Sequence, residues 1–116
     1  MKRPYHIAED RLVFTFEPEG WPLGVITGFT FVGGSRGRVF HIEHVIVLPG
    51  APPSTLLGTL SMGLRAAHDL KYDGLRVFLH ELHPLTPQLR SLVSRYRFAY
   101  DGPADDGEYY YKEIPR

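Results

Sequence analysis

The stretch from Val39 to Lys71, VFHIEHVIVLPGAPPSTLLGTLSMGLRAAHDLK, constrains the fold of this chain more than any other. A β-branched apolar run meets a Pro/Gly loop, and the loop runs into a segment of helical periodicity. Leu75 to Leu82 (LRVFLHEL) then reads as another strand. Strand, helix and strand in that order form a βαβ crossover, so these two strands are parallel. Such a unit also sets backbone N–H groups and a helix N-terminus at the strand's carboxyl end. An anionic group can be held there without a charged side chain.

The rest of the chain adds antiparallel strands. Leu12 to Phe16 (LVFTF), Leu23 to Val32 (LGVITGFTFV) and Arg38 to Leu48 are β-branched and aromatic, and turn sequences separate them. Pro49 stops the third, and Ser54 or Thr55 is placed to cap the helix that follows. That helix repeats apolar residues at Leu56, Leu60, Leu64, Ala67 and Leu70. Gly58 and Gly63 within it point to close approach of another backbone or a ligand. Thr86 caps a second helix with Pro87 at its first position, and its apolar stripe is Leu89, Leu92, Val93 and Tyr96. Phe98 to Tyr100 begins a strand, Asp101 to Gly107 reads as a polar loop, and Glu108 to Ile114 closes the chain as a strand. The order β-β-β-α-β-α-β-β gives an α+β domain over residues 1 to 116. Its sheet is mixed and mostly antiparallel, with one central parallel pair and two helices.

Composition removes several function classes. The chain has 116 residues and no cysteine, so it has no thiol nucleophile and no Cys-bound zinc. The missing cysteines fit a cytoplasmic protein. Lys plus Arg and Asp plus Glu are 13 each, which argues against a broad nucleic-acid surface. No apolar run reaches the length that crosses a membrane, and MKRPYHIAED is not a signal peptide. Nucleophile-elbow, P-loop, dinucleotide and zinc-protease motifs are all missing.

Two His/Glu clusters carry chemistry. In His41-Ile42-Glu43-His44, a regular strand puts His41 and Glu43 on one face and His44 on the other. In His80-Glu81-Leu82-His83, Glu81 and His83 share a face. Level on adjacent strands, His41, Glu43, Glu81 and His83 would make a metal site, but neither spacing is a ligand motif. A half-exposed polar strand with a satisfied salt bridge needs the same residue types. Two small basic groups, Arg36 with Arg38 and Arg90 with Arg95 and Arg97, could touch the phosphates of a cofactor or of a nucleic acid, but the zero net charge favours solvated arginines. Tyr109, Tyr110 and Tyr111 alternate faces, which exposes some of them.

The element order, with HIEHVIVLPG, the helix TLLGTLSMGLRAAHDLKYDG, LRVFLHEL, SRYRFAYDG and EYYYKEI, resembles the GNAT acyltransferase superfamily over roughly residues 11 to 114. In that family the strand–loop–helix unit binds acyl-CoA, and the next, parallel strand splays away to admit the pantetheine arm. The resemblance implies an acetyl-CoA-dependent N-acyltransferase acting on an amine acceptor. Gly50, Ser54, Thr55 and Leu56 would hold the pyrophosphate through backbone N–H groups. The strand edge at Val45, Val47 and Leu48 would pair with the pantetheine amides. Glu43, His41 or His44 would be the general base, and Tyr96 the acid for the departing thiolate. The family's first helices have little room, and only Tyr5 to Glu9 could give its first strand. A second copy of the chain, as a homodimer, would complete the acceptor side. The loop departs from the family pattern. Pro52 stands near the expected Arg or Gln, and the two glycine positions fall on Thr55 and Leu57. Thr86 stands near the family's Asn, and Val93 takes the place of its acidic Tyr. These departures support the alternative, a GNAT-like domain without catalysis that serves as a binding or assembly module.

Overall fold

The computed structural model describes residues 11–32 and 34–115, and the strand expected over Tyr5 to Glu9 lies outside them. The elements are β1 (Arg11–Phe16), β2 (Gly24–Val32), a 3-10 turn (Gly34–Arg36), β3 (Arg38–Val47), α1 (Thr55–Asp69), β4 (Gly74–His80), α2 (Thr86–Arg95), β5 (Ala99–Ala104) and β6 (Gly107–Glu113). The strands form one sheet in the order β1-β2-β3-β4-β6-β5. Among the described residues, only β3 and β4 pair in parallel, as the crossover requires.

Both helices cover one face of the sheet. Strand alternation sends Ile26, Phe40, Ile42, Val45, Leu75, Val77 and Leu79 towards them. Leu56, Leu60 and Ala67 of α1 and Leu89 and Val93 of α2 meet that layer. A side chain at Gly63 would place its Cβ 2.6 Å from Ile26 Cδ1, and one at Gly58 would fall 2.4 Å from the Phe16 ring. The two glycines therefore admit side chains of the sheet, not another backbone or a ligand. Their missing side chains let α1 sit low on β1 and β2.

Several element ends differ from the sequence reading, each for a local reason. The stripe of α1 stops at Ala67, and Leu70 is exposed because it forms the C-cap after Asp69. Tyr72, just after the helix, is buried, with its hydroxyl on Thr30 and the Arg38 guanidinium over its ring. Leu85, not Thr86, is the N-cap of α2, and the Thr86 hydroxyl donates to the His80 carbonyl. β5 continues through Asp101 and Gly102 to Ala104. A register shift between Tyr100 and Pro103 absorbs the turn-like residues, and the strand lies at the sheet edge, where proline is tolerated.

Candidate active site

The site is built on an irregularity in β3. His41 pairs with Phe29, Ile42 with Gly28 and His44 with Thr27. Gly28 and Thr27 are consecutive, so Glu43 is an extra residue in a β-bulge. The bulge resets the alternation of the strand. Thr27 and Phe29 share the face away from the helices, and directly opposed residues share a face, so His44 lies on the same face as His41. The expectation from a regular strand, which separates them, is corrected by this one inserted residue. Glu43 also turns to the open face, where Arg11 Nη1 donates to its carboxylate.

At the same level β3 and β4 part. Their pairing runs from Val39 opposite Gly74 to Ile42 opposite Val77 and ends there. β3 continues to Val47 and stays bound to β2, while β4 continues to His80 and stays bound to β6. From Glu43 onward the β4-side edge of β3 has lost its strand partner. Main-chain groups on such an edge need another hydrogen-bonding partner. The gap is a cleft of about 150 Å³ lined by Glu43, His44, Val45, Phe78, His80 and His83, with Thr86 and Leu89 of α2 at its side.

The cleft histidines from the β4 side are occupied locally. β4 ends at His80, so Glu81 and His83 stand in the following turn and not on a strand. His80 Nδ1 accepts the Leu82 N–H at 3.1 Å, and His83 Nδ1 accepts the Leu85 N–H at 3.1 Å. The proposed alignment of Glu81 and His83 with His41 and Glu43 is therefore lost. Among the described residues, no group of three or more His, Asp or Glu side chains is placed to hold a metal ion.

His41 lies two positions before the bulge, packed between the rings of Phe29 and Tyr109 at 5.0 and 5.8 Å. Burial, and then the positive Arg76, lower its pKa to about 4 in spite of Glu43. It is neutral at pH 7 but too weak a base to match the task, since proton abstraction is best served by a pKa near the working pH. Glu43 and the exposed His44 are the two candidate bases that line the cleft. Tyr96 is not brought to them. It caps α2 at its far end, shares a hydrogen bond with Ser61 of α1, and its carbonyl accepts the Lys112 ammonium at 2.9 Å. Lys112 pairs with Leu75, at the opposite end of β4 from the cleft. Val93 is fully buried in the core.

The loop after β3 has a turn at Gly50, whose φ of 82° suits glycine. Its N–H groups are partly consumed. Ala51 donates to Leu48 and Thr55 to Pro52, at 3.1 and 3.0 Å. The first intrahelical bond of α1 runs from Gly58 to Ser54, so Ser54, Leu56 and Leu57 keep N–H groups that the helix does not use. Thr55 thus leaves the expected anion-binding set, and Leu57 enters it. Beside this helix start lies a groove of about 310 Å³ between the first turn of α1 and Gln88, Ser91, Leu92 and Arg95 of α2. Val45 and Val47 lie on the strand that leads from the cleft to this loop, but Leu48 follows the strand and leaves the expected pantetheine-pairing set, because its N–H donates to the Leu23 carbonyl at 2.9 Å and its carbonyl accepts from Ala51 at 3.1 Å.

Sequence reasoning missed Asp101. It accepts Arg36 Nη1 and Nη2 at 2.8 and 2.6 Å and Arg76 Nε at 2.8 Å. The two guanidiniums hold its carboxyl at a pKa of about 2. Arg36 also lies over the Tyr111 ring and Arg76 over Tyr109. Arg36, read as a solvated or phosphate-binding residue, is thus committed to the fold, as is Arg90 through Glu108 and Tyr110. The arginines and neighbouring rings leave none of the three consecutive tyrosines fully exposed. The one sequence signal was an acid before two turn formers, Gly102 and Pro103, which gives no indication of its partners 65 and 25 positions away.

No family model matches the sequence, and no curated protein matches it. Solved structures do match the fold. A GNAT-family protein from Desulfovibrio desulfuricans superposes with a TM-score of 0.71 at 12% identity, over 93% of this chain and 71% of that one. A GNAT-family acetyltransferase from Listeria monocytogenes gives 0.64 at 16% identity, over 88% and 64%. The PaiA N-acetyltransferase of Thermoplasma acidophilum, solved in complex with coenzyme A, gives 0.65 at 10% identity, over 90% and 61%. This chain therefore spans only 61 to 71% of the length of those three. These superpositions show that the chain has the GNAT-like fold.

Proposed function

We propose that this protein is an acyl-CoA-dependent N-acyltransferase, with acetyl-CoA as donor and an amine as acceptor. One observation carries the reading. β3 and β4 stop pairing at the bulge, which opens a cleft beside an unpartnered strand edge and two candidate bases. An edge with free N–H and C=O groups suits the two amides of a pantetheine arm, as strand addition does for peptides. The groove at the start of α1 suits a pyrophosphate, with the N–H groups of Ser54, Leu56 and Leu57 on one side and Arg95 on the other. When bound, acyl-CoA supplies the activated thioester. Transfer to an amine forms an N–C bond as the C–S bond breaks, so the amine's proton needs a base. Glu43 or His44 fills that role, and His41 is the weaker candidate. Among the described residues no phenol lines the cleft, so the departing thiolate takes its proton from solvent.

A second reading has its own support. Pro52 and Pro53 bring no N–H group, and Thr55 donates to Pro52 within the loop. Val93 stands buried where the resemblance puts an acidic tyrosine. These facts favour a GNAT-like module that binds without catalysis, alone or as a homodimer. Titration with acetyl-CoA separates the two. Binding at a hundredfold excess over Kd stabilises the native state by about 2.7 kcal/mol, which a thermal melt resolves readily. No shift at millimolar acetyl-CoA rules out the transferase.

A further inference from the structure

A further cavity on the open face lies one step along β3 from the cleft. It holds about 410 Å³ and is lined by Phe29, Phe31, Val39, His41, Arg76 and Tyr109, with the Gly34–Arg36 turn at its rim. That volume falls within the range of small-molecule sites. Phe29, His41 and Arg76 stand in one row across β2, β3 and β4, since His41 pairs with both of the others. Three kinds of surface meet there. Phe29, Phe31 and Val39 give an apolar wall. The Tyr109 ring gives a flat side, with the Arg76 carbon centre 3.8 Å from its centroid. Arg76 gives the charge.

The charge balance defines the ligand. Arg36 and Arg76 share the single carboxylate of Asp101, so one positive charge is left over. Arg36 gives Asp101 both terminal nitrogens, whereas Arg76 gives only Nε. The two terminal nitrogens of Arg76 keep the geometry that grips a carboxylate in bidentate fashion. His41, held neutral beside Arg76, adds a polar edge without charge. Among the described residues, no carboxylate lines the cavity. A net positive charge among rings, left over after two arginines share the one carboxylate of Asp101, selects an anion with a flat apolar body.

We infer that this cavity binds a small ligand made of an aromatic-sized apolar body and one carboxylate. On the acyl-transfer reading, on which this clause rests, the ligand is the acceptor and is an amino-carboxylate. Its amine end points up the strand, where Glu43 and His44 lie on the same face, two to three residues or about 7–10 Å from His41. The bulge is what keeps that path on one face.

The test uses the whole chain without any CoA. Binding of 3-phenylpropionate and of phenethylamine, which differ in the presence of the carboxylate, is followed by backbone amide NMR and calorimetry. The carboxylate probe is expected to shift the amides of Phe29, Val39 and His41 and to bind at least tenfold more tightly than the amine probe. Arg76→Gln should weaken it tenfold or more, and Arg76→Lys should restore part of the loss. Phe31→Trp, at a half-exposed wall position, narrows the cavity without touching the core and should also weaken the probe. Equal binding of the two probes, or no amide shift at 10 mM, overturns the proposal. So does full affinity in a folded Arg76→Gln protein. With acetyl-CoA added, phenylalanine should be acetylated with a kcat/KM at least tenfold above phenethylamine. Carboxylate binding without any acetyl-CoA binding would leave the cavity assigned and remove only the acceptor role.

Discussion

Replacing Asp101 by Asn gives a defined test of the charge network behind the open face. The carboxylate receives three N–H groups from two arginines, at 2.6 to 2.8 Å. Its side chain is 15% exposed, while those of Arg36 and Arg76 are 44% and 32% exposed. Its pKa falls from 3.8 in the reference state to about 2, the Arg36 hydrogen bonds leading and Arg76 adding to them. A depressed acid stabilises the fold above its unfolded pKa and loses that contribution as pH falls through the folded one. The difference of nearly two units corresponds to about 2 kcal/mol at pH 7, an upper value because the arginines are partly screened by water. The same relation leaves about half of it at pH 3. Asn keeps one acceptor oxygen and the side-chain volume, so Asp101→Asn isolates the charge. Urea unfolding of both proteins at pH 7 and pH 3 should show an unchanged m-value, with a stability gap that shrinks by about half. A gap that is the same at both pH values, or smaller than about 0.5 kcal/mol at pH 7, refutes the ion-pair account.

Three further outcomes follow from the same geometry. His41, with a pKa lowered from 6.5 to about 4, binds its proton more readily when unfolded, so stability should fall between pH 6.5 and 4 by up to roughly 3 kcal/mol; His41→Gln should flatten that part of the urea-midpoint profile. Gly63→Ala drives a methyl group to 2.6 Å from Ile26 Cδ1. Overpacking of about 1–3 kcal/mol there outweighs a helix-propensity gain of about 1 kcal/mol. Adding Ile26→Val removes the clashing carbon, so a double-mutant cycle should show a coupling of about 1–2 kcal/mol, and strict additivity would count against this seating of α1. Glu43→Gln should lower acetyl transfer by a factor of about 10²–10⁴ if Glu43 is the base. Loss of its half-exposed pairing with Arg11 should cost under about 1 kcal/mol in a thermal melt. Transfer that survives this change together with His44→Gln and His41→Gln would show that none of the three acts as base.

Local chemistry made much of the molecule legible from the sequence. Period-2 runs gave β1, β2, β3 and β4, the Leu56 to Ala67 repeat gave α1, and strand–helix–strand order gave the parallel pair, because each depends on neighbours a few residues apart. The resemblance to the GNAT fold rested on that order and led to the same architecture. Tertiary structure alone decided the site. A bulge at Glu43 depends on the register of β2 against β3, and no residue in HIEHV announces it; that single insertion moved His44 onto the face of His41. The pKa of His41 came from rings and an arginine on other strands. The engagement of Arg36 and Arg76 with Asp101, and the position of Tyr96 at the wrong end of α2, depend on contacts between segments distant in sequence. Sequence fixes what can pair locally, but faces, charge partners and cavities arise only when separate elements meet.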